Sequence, residues 1–84
     1  VAAVTQAEVK MRELLDQESL IETAWTETSE EGHIMDVSIT ETLKERTESL
    51  QVSLFEIVLT VRWNNGGRER SLTVRTLKTV PKQV

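Results

Sequence analysis

The chain has 84 residues, 38% of them hydrophobic, with 14 acidic side chains against 10 basic ones for a net charge of -4, and no cysteine. These figures describe a single folded domain, 1–84, near the lower size limit for a sizeable core, and they argue against disorder over the whole length. The acidic balance argues against a nucleic-acid partner, while the lack of cysteine removes disulfides, thiolate catalysis and zinc-thiolate sites. The basic residues cluster late, where Arg62, Arg68, Arg70 and Arg75 form a local positive end that suits an acidic protein partner. The chain starts at Val1 and has no signal peptide and no apolar run long enough to cross a bilayer, so the expectation is a fragment with a segment upstream.

Residues 1 to about 20 have helical periodicity. Val4, Ala7, Met11, Leu14 and Leu15 fall on one stripe, and Glu8, Lys10, Arg12, Glu13 and Gln17 lie outside it. Good helix formers and a Glu8–Arg12 pair at i,i+4 predict an amphipathic helix whose stripe needs a partner surface. Thr23 to Ser29 has strand-like but polar composition and reads as an edge strand or extended connection, followed by a turn over Ser29-Glu30-Glu31-Gly32. Ile34 to Glu41 alternates, with Met35, Val37 and Ile39 on one face, and predicts a half-buried strand. Thr42 to Ser49 is charged and predicts an exposed loop or a single helical turn.

Gln51 to Leu77 carries the strongest local signal. Two runs rich in Val, Ile, Leu and Thr flank Asn64-Asn65-Gly66-Gly67, which reads as a tight hairpin turn and not as a phosphate loop, since no Lys-Ser/Thr follows. The odd positions from Phe55 to Trp63 are all apolar and mark the core face. A turn on Asn65-Gly66 opposes Phe55 with Thr76, Ile57 with Val74, Leu59 with Leu72, Val61 with Arg70 and Trp63 with Arg68. On the other face it pairs Arg62 with Glu69, Glu56 with Arg75 and Leu54 with Leu77. Pro81 ends the strand. The expected fold is α+β: an N-terminal amphipathic helix packed on a small antiparallel sheet of three to four strands, spanning about 23–80, with a C-terminal β-hairpin.

No residue of the sequence is expected to be catalytic, cofactor-binding or metal-binding. His33, the single histidine, sits beside Gly32 at a turn next to Glu30 and Glu31, and reads as solvated. Ser29, His33 and Asp36 are clustered too locally for a working triad, and the serines lack a glycine elbow. Glu27, Glu30, Glu31 and Asp36 lack the spacing that preorganises a calcium loop and read as a solvated acidic turn. Trp63 beside Arg68 suggests a cross-strand cation–π contact or an exposed anchor, and Trp25 has the same two readings. Ala2, Ala3, Val4 and Ala7 extend the apolar face beyond what a small sheet needs. Either the helix end frays, or the helix continues upstream and packs against other helices.

The C-terminal third also resembles a family. Leu59-Thr60-Val61-Arg62-Trp63, the Asn64 to Gly67 turn and Ser71-Leu72-Thr73-Val74-Arg75-Thr76-Leu77-Lys78, behind an N-terminal helix, are similar to the minor pseudopilins of type II secretion systems, particularly the I-type subunit. A minor pilin of a type IV pilus looks similar. The resemblance implies the soluble periplasmic domain of a Gram-negative protein anchored in the inner membrane through an upstream apolar helix. It also implies a structural role, in which the subunit assembles with other minor pseudopilins at the pseudopilus tip and supports protein export. Carried onto this chain, the partner-binding surface is the stripe Val4, Ala7, Met11, Leu14 and Leu15. The family contributes no catalytic residue. A different class of reading is a free-standing module that binds peptides along a sheet edge, at Thr23 to Ser29.

Overall fold

The computed structural model describes residues 2–17 and 19–82. Positions 1, 18, 83 and 84, which the sequence reading places in the helix or the domain, lie outside the described residues. The elements follow in the order α1 (Ala2–Leu15), β1 (Thr23–Thr28), β2 (Ile34–Thr42), α2 (Lys44–Thr47), β3 (Val52–Asn65) and β4 (Arg68–Pro81). The helix stops at Leu15, short of the expected 20. Lys78 of β4 donates from Nζ to the carbonyls of Leu15 and Gln17, satisfying acceptors that the ended helix leaves open. Lys82 does the same for α2, from Nζ to the Thr47 carbonyl at 2.5 Å and the Glu48 carbonyl at 3.0 Å.

The strands form an antiparallel meander in the order β1-β2-β3-β4. β1 is the edge strand expected at Thr23 to Ser29, and β2 lies between β1 and β3, a position the alternating pattern alone left open. One face of the sheet carries the core. Ala3, Ala7, Met11 and Leu14 of α1 form one buried cluster with Val37 and Ile39 of β2, Phe55, Ile57, Leu59 and Val61 of β3, Val80 of β4 and Leu20. Each large aliphatic in this layer contributes roughly 1.5 to 3 kcal/mol by leaving water. A strand of 14 residues is about 46 Å long, whereas a helix of 14 residues is only about 21 Å, so α1 covers part of the long hairpin. The opposite face is mixed, with Glu56, Thr60 and Arg62 of β3 beside half-buried Leu54 and Val58, and with Leu77 of β4 exposed.

The hairpin keeps its expected core face but not its expected register. The turn falls on Gly66 and Gly67, at φ 61° and 83°, so Asn65 opposes Arg68, Phe55 opposes Lys78, Leu59 opposes Val74, Val61 opposes Leu72 and Trp63 opposes Arg70. A two-residue turn of this kind needs positive φ at both central residues, and Gly-Gly meets that demand at lower steric cost than Asn-Gly. The displacement along β4 is an even number of residues, which preserves the buried face while changing each partner. The expected charge pairs therefore do not form: Arg62 opposes Ser71 and Glu56 opposes Leu77. Leu77 is 57% exposed and faces Glu56 instead of Leu54, so that end of the hairpin is not covered on both sides.

Candidate functional site

The helix stripe divides when α1 lies on the sheet. Leu14 is only 1% exposed, and Ala7 and Met11 are also buried against the core. Val4 and Leu15 fall on the flank, at 41% and 36% exposure. An α-helix advances about 100° per residue, so a stripe drawn over five positions is wider than the line of contact with a flat sheet. The surplus faces β4.

Between that flank and β4 lies an open, mainly apolar groove of about 540 Å³, lined by Val4, Ala7, Met11 and Leu15 of α1 and by Leu72 and Val74 of β4, with Glu8 and Arg12 also at its wall. Leu72 and Val74 were absent from the sequence-level partner surface. Their alternation places them on the core face, but only the strand order makes β4 outermost and leaves the pair half-buried at a rim.

The groove runs beside a basic edge. Arg68, Arg70, Arg75 and Lys78 stand against Glu69 along β4. Among the described residues, Lys10, Lys44 and Arg62 are held in ion pairs, whereas Arg12, Arg68, Arg70 and Arg75 are in none.

The other residues considered for chemistry are committed to structure. His33 is half-buried and not solvated as expected: its Nδ1–H donates to Gln6 Oε1 at 2.6 Å, and its ring meets Trp63 edge-on, with centroids 6.3 Å apart and planes at 61°. The turn hydrogen bonds, Ser29 N–H to the His33 carbonyl at 2.8 Å and His33 N–H to Ser29 Oγ at 3.1 Å, fix the backbone that carries it. His33 thus turns toward Gln6 and Trp63, while Asp36 binds Thr26 and Arg62, so these side chains form no Ser29–His33–Asp36 relay.

Glu27 and Asp36 lie on opposite faces of the sheet, because Glu27 is opposite Met35 while Asp36 is opposite Thr26. They cannot share one ion. Among the described residues no three His, Asp or Glu side chains gather as metal ligands. Glu27 instead binds Lys10 at 2.5 Å, and this hydrogen bond, reinforced by the charges of Glu27 and Glu13 against the opposing cost of burial, holds the Lys10 ammonium above its ordinary pKa of 10.5. Asp36 accepts from Thr26 Oγ1 at 2.7 Å and from Arg62 Nε at 2.9 Å. These bonds hold its carboxyl below the ordinary 3.8, the hydrogen bond from Thr26 contributing most. The expected pairing of Trp63 with Arg68 is replaced by a different cation–π contact, with Lys10 5.9 Å from the centroid of Trp25.

No protein-family model, curated protein or solved structure matches this chain.

Proposed function

We propose that this domain is a structural subunit, recruited into a protein assembly through the α1/β4 side of the fold. The observation that carries the reading is the groove itself: Val4 and Leu15 of α1 stay exposed beside Leu72 and Val74 of the outermost strand, which touch the core but remain only half-buried. Contiguous exposed apolar surface of this kind marks a contact with another macromolecule more often than an isolated exposed leucine does.

The specific form of the proposal is a minor pseudopilin of a type II secretion system, which assembles with other minor pseudopilins. Two features support it. The N-terminal helix lies across an antiparallel sheet, and the residues that carry the resemblance, Leu59 to Trp63 and Ser71 to Lys78, form the β3–β4 hairpin that borders the groove. Within the stripe proposed as the contact surface, Val4 and Leu15 are the accessible positions, and Leu14 serves this domain's own core.

The test is co-purification with the other minor pseudopilins of the same secretion system. Val4→Glu with Leu15→Glu places carboxylates on exposed positions, so circular dichroism stays unchanged while recovery of the complex falls. Undiminished recovery removes this surface from the contact. A polar coding sequence ahead of Val1, in place of about 20 apolar residues, removes the pseudopilin assignment.

A further inference from the structure

We propose that the outer edge of β4 accepts an extended acidic segment of a partner protein as a fifth strand, whose apolar side chains enter the α1/β4 groove. This rests on the reading of the domain as an assembly subunit and supplies the chemistry of its partner. β4 ends the strand order, so one side of a 14-residue strand has backbone donors and acceptors with no neighbouring strand among the described residues. Strand addition satisfies those groups, while pockets for alternate side chains decide which sequence is taken.

Position along β4 sets the pattern. Leu72 and Val74 line the groove, and Arg70, Leu72 and Val74 share a face by alternation, with Arg75 on the other face. A strand running antiparallel to β4 places an acid opposite Arg75, apolar residues opposite Val74 and Leu72, and a second acid opposite Arg70. In the partner's own direction this reads acid, apolar, any, apolar, any, acid. The chain carries a net charge of -4, yet this edge is basic, and Arg70 and Arg75 are exposed and in no ion pair among the described residues. Charge complementarity therefore selects an acidic occupant over a second β4 strand, which brings arginines against arginines.

The experiment titrates the uniformly ¹³C,¹⁵N-labelled chain with the hexapeptide acetyl-EVTVTE-amide and monitors amide and methyl resonances. The expected result is shifts along β4 and at the methyl groups of Val4, Leu15, Leu72 and Val74, with β1 unmoved. Affinity then falls about tenfold for the Arg70→Glu/Arg75→Glu variant, and about tenfold for the peptide acetyl-KVTVTK-amide. Both arginines are exposed, so the variant retains its fold, checked by its own spectrum. Three results overturn the proposal: no movement of β4 resonances at about 1 mM peptide, equal binding after either charge reversal, or shifts confined to β1. Edge arginines that serve only to block strand pairing produce the first of these. A domain that co-purifies with its partners through Val4 and Leu15 yet ignores the peptide keeps its assembly role and loses strand addition; the opposite pair of results keeps strand addition and removes that contact surface.

Discussion

Lys10 Nζ lies 2.5 Å from Glu27 Oε1, joining the middle of α1 to β1, the short edge strand of the sheet. The same ammonium also lies 5.9 Å from the centroid of the Trp25 ring, so one side chain engages both half-buried residues of the strand. Among the described residues β1 pairs only with β2, so this contact ties the helix directly to that edge. Lys10→Ala is expected to cost about 1 kcal/mol from the ion pair and the ring contact together, with faster amide exchange concentrated in β1. The pH dependence arises from the raised Lys10 pKa. Its contribution is complete below 10.5 and is lost as pH rises through the higher folded value. Denaturant titrations at alkaline pH should show this loss in the parent chain and not in Glu27→Gln.

Asp36 gives the opposite sign. Its carboxyl is held below 3.8, so the stabilisation from Thr26 and Arg62 is complete above that value and disappears as pH falls through the folded pKa. Asp36→Asn is expected to flatten this acid-side loss while changing stability little at pH 7, since the group is exposed and solvent screens it. Urea midpoints measured from neutral to strongly acidic pH check the prediction.

The hairpin register is open to a covalent test. Thr60 and Thr73 are opposite each other, with hydroxyl oxygens 3.1 Å apart. Thr60→Cys with Thr73→Cys is expected to oxidise readily to an intramolecular disulfide with an unchanged circular dichroism spectrum. Thr60→Cys with Ser71→Cys, the pair that a turn on Asn65-Gly66 brings together, is expected to remain reduced under the same conditions. Mass spectrometry after alkylation distinguishes the two.

Leu59 and Leu77 lie on the same hairpin and differ in burial, at 0% and 57% exposure. Leu59→Ala leaves a cavity beneath α1 and is expected to cost about 2 to 5 kcal/mol, enough to lower the melting temperature by roughly 10 °C or more in a domain of this size. Leu77→Ala removes a side chain that water already reaches, and its expected effect stays within about 0.5 kcal/mol. Thermal denaturation of both variants decides between this packing and one that covers Leu77.

Local pattern in the sequence determined most of the elements and their facing. The helical stripe, the alternation from Ile34 to Glu41, the apolar odd positions of β3 and the glycine-containing turn each reflect the periods of 3.6 and 2 that helices and strands impose. Four matters were decided only by the tertiary structure. The register was one, because a slip of two residues preserves alternation, so the Arg62–Glu69 and Glu56–Arg75 pairs supported an arrangement that the paired glycines override. The environment of His33 was another, since Gln6 and Trp63 reach it from distant parts of the chain. The helix stripe was divided between core and rim by how α1 packs on the sheet, which separates Leu14 from Val4 and Leu15. Finally, strand order made β4 an edge beside an open groove; that property depends on which strand has no outer neighbour, and it has no local signature in the residues themselves.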